Sequence, residues 1–106
     1  MAEVIWTETA LRNLRNIIDY VARNSPSRAD KLASRLSEAP NILEHTPKIG
    51  RRVPEFQLDH IRELVTVRPY RVIYVIRNNF CYITAIVHSS RDLKKALREI
   101  GLQDLS

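Results

Sequence analysis

The chain has 106 residues, 44% of them hydrophobic and 27% charged, which predicts one globular domain (1–106) with a modest core. No apolar run is long enough to span a bilayer, the N-terminus lacks a signal-peptide pattern, and the single cysteine, Cys81, excludes an internal disulfide, so we expect a cytoplasmic protein without membrane contact. The formal net charge of +5 indicates an anionic partner, nucleic acid or an acidic protein segment, although a basic surface that serves only solubility is the alternative.

The N-terminal third predicts a strand followed by a helical hairpin. Glu3–Trp6 is a short strand candidate, and Thr7 is a suitable N-cap for the helix that follows. Apolar residues then recur at helical spacing in two segments, and Ser25 and Pro26 supply the cap and the first position of the second helix. Pro40 predicts a break at the end of that helix.

The second half is organised around three consecutive strand candidates, at residues 61–67, 70–76 and 80–87. A basic loop, residues 46–59, precedes them, and a short amphipathic helix, residues 91–100, follows and ends at Gly101. The first 46 residues carry six acidic and six basic side chains, whereas the rest carry eleven Lys or Arg against six Asp or Glu. The excess positive charge therefore belongs to these strands and their flanks.

The hairpin loops predict which side chains share a face, because loop length fixes register. If Asn78 and Asn79 form a two-residue loop, Arg77 faces Phe80. If residues 68–69 form another such loop, one face carries a basic cluster. Its members are Arg62, Arg71 and His88. The opposite face is apolar enough to pack against the helical hairpin.

Several common kinds of site are absent from the sequence. Gly50 and Gly101 are the two glycines, so no glycine-rich phosphate loop is present, and one cysteine with three scattered histidines does not make a zinc ligand set. We therefore expect neither a metal nor a cofactor.

Five short motifs and the helical hairpin occur in an order that resembles the RelE/ParE superfamily of toxins from bacterial type II toxin–antitoxin systems. In chain order they are W-T-x-x-A-x-x-x-L at 6–14, the helical hairpin, P-x-x-G-R at 47–51, I-R-E-L at 61–64, Y-R-V-I-Y at 70–74 and V-H-x-x-R-D at 87–92. The resemblance covers nearly the whole chain. It implies an α+β fold of β-α-α-β-β-β order, with the hairpin packed on a twisted antiparallel sheet, and a cognate antitoxin as partner.

The resemblance leaves two activities open. RelE-like members cut mRNA on the ribosome, and this chain offers Arg62 and Arg71 as phosphate clamps and Glu55 or His88 as acid or base. Those enzymes usually carry a basic residue soon after the last strand and then a tyrosine. The corresponding run here, HSSRDLKKAL, has no tyrosine.

ParE-like members instead poison DNA gyrase, and V-H-x-x-R-D and I-R-E-L are closer to their pattern. We therefore favour a gyrase poison over a ribosome-dependent ribonuclease or a non-toxic paralogue that only binds an antitoxin. In this interpretation Arg51, Arg52 and Arg91 face a protein partner, and operator DNA is contacted only through the antitoxin.

Overall fold

The computed structural model describes residues 1–99, and the predicted end of the last helix, Ile100 and Gly101, lies outside them. The strands are β1 (Glu3–Trp6), β2 (Arg51–Arg52), β3 (Ile61–Leu64), β4 (Tyr70–Arg77) and β5 (Phe80–His88). The helices are α1 (Glu8–Ala22), α2 (Pro26–Glu38) and α3 (Leu93–Glu99), with a 3₁₀ helix at Ala39–Glu44. None of the helices within residues 1–99 is long and apolar enough to cross a membrane.

The helix boundaries follow the signals read from the sequence. Thr7 Oγ1 accepts a hydrogen bond from the Ala10 amide, and Ser25 Oγ accepts one from the Arg28 amide, each at 3.2 Å. These side chains satisfy backbone donors that have no partner inside the first helical turn. Regular helix ends just before Pro40, where the 3₁₀ helix takes over. The predicted caps and the predicted break are confirmed.

The sheet has the order β1-β5-β4-β3-β2. The meander β3-β4-β5 is antiparallel as predicted, and the α+β fold class is confirmed. β1 lies parallel to β5, which makes the sheet mixed, and the two-residue strand β2 forms within the predicted loop and pairs with β3 at the other edge.

Both faces of the sheet are buried, which explains why β4 is an almost continuous apolar run. The helical hairpin covers one face, and its core includes Leu36, Leu43, Val72, Tyr74 and Ile83. The other face packs against α3 and the segment around Phe56, with a core that includes Val53, Ile73, Val75, Leu93 and Leu97.

A bulge in β5 changes the register halfway along the β4–β5 pair. Near the loop the predicted pairing of Arg77 with Phe80 is confirmed, and Asn78 adopts the positive φ, 53°, that the loop requires. Beyond it Ile73 pairs with Ala85, so Thr84 is the extra residue. The predicted pairings past this point are wrong, because the sequence carries no glycine or proline there to mark a bulge.

The helical hairpin contacts the bulged strand through a specific hydrogen bond. Asn13 Oδ1, on α1, accepts from the Ile86 amide at 3.0 Å. The register of β1 with β5 ends at Ile83, so this side chain satisfies a backbone donor on β5 beyond the end of β1. Asn13 is thus a structural residue that connects α1 to β5.

Candidate functional site

The connection between β3 and β4 decides which charged residues share a face. It contains residues 65–69 rather than two residues, and it pairs Arg62 with Tyr74 and Glu63 with Ile73. This register differs by one position from the prediction, and a one-residue shift moves every side chain of a strand to the opposite face. Glu63 therefore lies on the face of Arg71. The predicted cluster of Arg62, Arg71 and His88 is wrong.

Arg71 is held by two carboxylates. Its Nε donates to Glu63 Oε1 at 2.6 Å, while Nη1 and Nη2 donate to the two carboxylate oxygens of Glu55 at 2.9 and 2.7 Å. The second oxygen of Glu63 accepts from Arg51 Nε at 2.5 Å. We call these four residues the Arg71 network.

The Arg71 network combines two positive and two negative charges, and its centre is shielded from water. The Glu63 side chain is fully buried and that of Arg71 is 9% exposed, whereas Glu55 and Arg51 lie nearer the surface. A buried ion pair is tolerated when each charge is also hydrogen-bonded, which is the case here. No side-chain nitrogen or oxygen atom buried in the described part of the chain lacks a hydrogen-bond partner.

The network shifts the protonation equilibria of its members. Hydrogen bonding to Glu55 raises the pKa of the Arg71 guanidinium above its usual value, in spite of burial. The same hydrogen bonds lower the pKa of Glu55. Glu55 therefore has a reduced affinity for a proton, which makes it a poor general base near neutral pH.

Arg62 lies on the opposite face of β3 and binds the loop before β2. Its Nη1 donates to the carbonyl oxygens of Gly50 at 2.8 Å and Lys48 at 3.1 Å, and its Nη2 donates to Asp59 Oδ1 at 2.7 Å. Asp59 also pairs with Lys48 Nζ at 3.0 Å, and these cations lower the pKa of the Asp59 carboxyl. The role of Arg62 in this arrangement is to hold the loop.

The same loop is fixed from the core by Tyr74. The Tyr74 hydroxyl donates to the Pro47 carbonyl at 2.7 Å and accepts from the Gly50 amide at 3.0 Å. Burial raises the pKa of Tyr74 to about 12, so the hydroxyl remains a donor at neutral pH. A Cβ at Gly50 would lie 2.6 Å from both the Glu63 carbonyl oxygen and the Tyr74 hydroxyl, which explains the glycine.

His88 lies at the end of β5 and pairs with Tyr70 rather than lying beside Arg71. The two rings meet edge to face with centroids 5.6 Å apart. His88 Nδ1 accepts from the Ser90 amide at 3.1 Å. These contacts shape the turn that leads to α3.

The three arginines predicted to face a partner are all exposed. Arg51 and Arg52 form the short edge strand β2, whereas Arg91 lies in the turn before α3, where Asp92 Oδ1 accepts from the Lys95 amide at 3.2 Å and caps the helix. Next to β2, an apolar groove of about 470 Å³ is lined by exposed Ile42, Ile49 and Val65. Charge and apolar surface thus meet at this edge of the sheet.

Glu63 is the member of the network that the sequence did not reveal. In the I-R-E-L strand two adjacent charged residues stand between two apolar ones, so the register decides whether the arginine or the glutamate shares the face of Arg71. The available signal was the acidic residue Glu63 itself, since Arg62 and Glu63 are adjacent and must lie on opposite faces of the strand. It becomes informative only when the turn length is known.

Comparison with known proteins agrees with this architecture. The family model described as "ParE toxin of type II toxin-antitoxin system, parDE" matches residues 4–93. A relative named Toxin RelE2, from Caulobacter vibrioides, is 37% identical over 91 residues, which cover 86% of this chain and 99% of that protein.

A solved structure titled "Chromosomal ParDE TA system from P. aeruginosa" superimposes with a TM-score of 0.69 at 24% identity, over 83% of this chain and 96% of that one. At this identity the match supports the fold alone. The family assignment rests on the extent of the sequence match, which includes the hairpin and the whole meander. This chain belongs to the ParE toxin family of type II toxin–antitoxin systems and is the toxin of such a system, which implies a cognate antitoxin.

Proposed function

We propose that this toxin acts by binding DNA gyrase and stabilising the gyrase complex with cleaved DNA, rather than by cutting mRNA on the ribosome. The observation that carries the proposal is the neutralised state of Arg71. All three of its nitrogen groups donate to the carboxylates of Glu55 and Glu63. The residue that a nuclease of this superfamily would use as a phosphate clamp is thus already occupied.

Ribonucleolytic attack by a 2′-hydroxyl needs a proton acceptor, a proton donor and cations placed around one phosphate. The four candidates do not form that arrangement. Glu55 binds Arg71 and has a lowered pKa, Arg62 binds backbone carbonyls on the other face of β3, and His88 packs against Tyr70. A phosphate would have to displace a carboxylate to reach Arg71, and breaking this desolvated ion pair costs free energy.

We propose in addition that the antitoxin covers the β2 edge of the sheet. An acidic segment would pair with Arg52 and with the exposed part of Arg51, whose Nε already binds Glu63, and apolar side chains of the same segment would fill the groove lined by Ile42, Ile49 and Val65. Exposed apolar side chains grouped in one groove are typical of a protein interface. This surface supports a partner that is both acidic and amphipathic.

The gyrase proposal is tested by producing the toxin without its antitoxin and examining DNA and RNA from the same cells. We expect gyrase-linked double-strand breaks in plasmid DNA, with intact transcripts. With purified components, gyrase, supercoiled plasmid and toxin should give linear DNA after denaturation, and the antitoxin should prevent it. Codon-phased transcript cuts with intact plasmid would instead establish the ribonuclease. Intact plasmid together with intact transcripts would indicate the non-toxic paralogue.

A further inference from the structure

A second groove, on the hairpin side of the molecule, is lined by cations from two distant parts of the chain. α2 contributes Arg28, Lys31 and Arg35, and the β3–β4 turn contributes Arg68. The groove is open and encloses about 300 Å³. We call it the α2 groove.

The four cations of the α2 groove are not neutralised by the protein. All four are exposed, and within residues 1–99 none of them forms a salt bridge. No carboxylate lines the groove, although the first 46 residues contain six of them. The tertiary structure therefore creates a positive surface on α2, although the first 46 residues contain equal numbers of acidic and basic side chains.

We infer that the α2 groove binds the phosphate backbone of duplex DNA. Residues 28, 31 and 35 lie on one face of the helix and extend over about 10 Å along its axis. That length corresponds to about three phosphates of one strand at a rise of about 3.4 Å. Arginine supplies three of the four cations, and its planar fork can pair with two phosphate oxygens at once.

The lining of the groove favours a nucleic-acid backbone over a protein segment. A peptide ligand needs apolar anchors. The groove is also lined by Val21, Leu32, Pro69 and Tyr70, but none of the most exposed large hydrophobic side chains of the described chain lies in it. Three of those side chains, Ile42, Ile49 and Val65, line the groove next to β2 instead, where we place the antitoxin. The choice of DNA over RNA rests on the proposed function, because a gyrase poison acts beside DNA held by its target.

The inference is tested by fluorescence anisotropy with the full chain and a labelled 20-base-pair duplex of mixed sequence at several salt concentrations. The groove variant combines Arg28→Gln, Lys31→Gln and Arg35→Gln. The control combines Arg12→Gln, Arg15→Gln and Arg98→Gln, which are exposed residues outside the groove. Both triple variants reduce the formal net charge from +5 to +2, since each removes three positive charges.

We expect the groove variant to lose about tenfold or more in affinity at moderate salt and the slope of log K against log salt to fall by about 2 to 3. In the control variant the slope should fall by less than about a third of that amount. Arg68→Gln alone should reduce the slope by about one unit. Equal losses in both triple variants would show an effect of net charge alone and would overturn the inference, as would the absence of duplex binding by the unmodified chain at low salt.

Two further ligands separate the alternatives. An RNA duplex of the same length or a glutamate-rich peptide that binds the groove more tightly than DNA would overturn the assignment to DNA. The binding measurement contains no gyrase, so its result does not depend on the proposed function. If the toxin poisons gyrase without binding DNA, the proposed function stands and the assignment of the groove fails. If it binds DNA through α2 without affecting gyrase, the assignment of the groove stands and the proposed function fails.

Discussion

The guanidinium of Arg71 on β4 is bound to the buried carboxylate of Glu63 on β3, with 2.6 Å between Nε and Oε1. The two residues are diagonal neighbours across the strand pair, because Glu63 faces Ile73, two positions from Arg71. This contact converts a potential phosphate clamp into a neutral part of the sheet. It also connects the central strand to β2, because the same carboxylate binds Arg51.

Glu63→Gln should destabilise the fold strongly. Glutamine preserves the shape of the side chain but leaves the buried Arg71 charge with Glu55 as its remaining carboxylate, and breaking a buried pair costs about 3 kcal/mol. Urea denaturation monitored by circular dichroism measures the loss. Glu38→Gln, at an exposed glutamate, is the control and should change the unfolding free energy by less than about 0.5 kcal/mol. Equal effects of the two substitutions would contradict the structural role of the network.

The pKa of Glu55 predicts a loss of stability in acid. Arg71 holds this pKa below the ordinary value of 4.5 in the folded chain, so the unfolded chain binds a proton first as the pH falls. The contribution of Glu55 is therefore complete above about pH 4.5 and is lost as the pH decreases through the folded-state pKa. Thermal unfolding between pH 7 and pH 3 should show a shallower decline for Glu55→Gln than for the unmodified chain. Parallel curves would contradict the pairing.

Gly50→Ala should destabilise the chain by about 2 kcal/mol, since overpacking a buried site forces neighbours apart. The new Cβ would meet the Glu63 carbonyl oxygen, which belongs to the sheet, and the hydroxyl of Tyr74, each at 2.6 Å. Chemical denaturation measures the change, with Ser27→Ala at an exposed position of α2 as the control. A free energy of unfolding equal to that of the control would show that the loop before β2 can move away.

His88→Ala should leave toxicity within about twofold in a growth assay and in gyrase-dependent DNA cleavage. The histidine contacts Tyr70 and the Ser90 amide, so its loss should cost about 1 kcal/mol of stability. Antitoxin binding by the variant serves as the control for folding. Complete loss of toxicity in a folded variant would favour the ribonuclease, because that mechanism assigns His88 to proton transfer.

Much of the fold is local in origin and was therefore predictable. Thr7, Ser25 and Pro26 define helix ends through contacts within three residues, and the Asn78-Asn79 loop sets the near half of the β4–β5 register. The order of the motifs identified the superfamily, and the extent of the family match confirmed it.

The candidate site was less predictable, because its members are joined by register. The five-residue connection at 65–69 and the extra residue Thr84 each shift a strand by one position, and each shift exchanges the two faces of the sheet. The prediction therefore grouped Arg62 and His88 with Arg71, and it missed Glu63.

The sequence by itself determined the helices, β1, the three strands of the meander, their order and the family, because caps, turns and periodic apolar residues act over a few positions. The tertiary structure alone decided what Arg71 does, since only the folded sheet brings Glu55 and Glu63 to the same guanidinium. It likewise decided that Arg68 joins three cations of α2 in one groove. Charge neutralisation and charge concentration both depend on distances between residues far apart in the chain, and local sequence does not encode those distances.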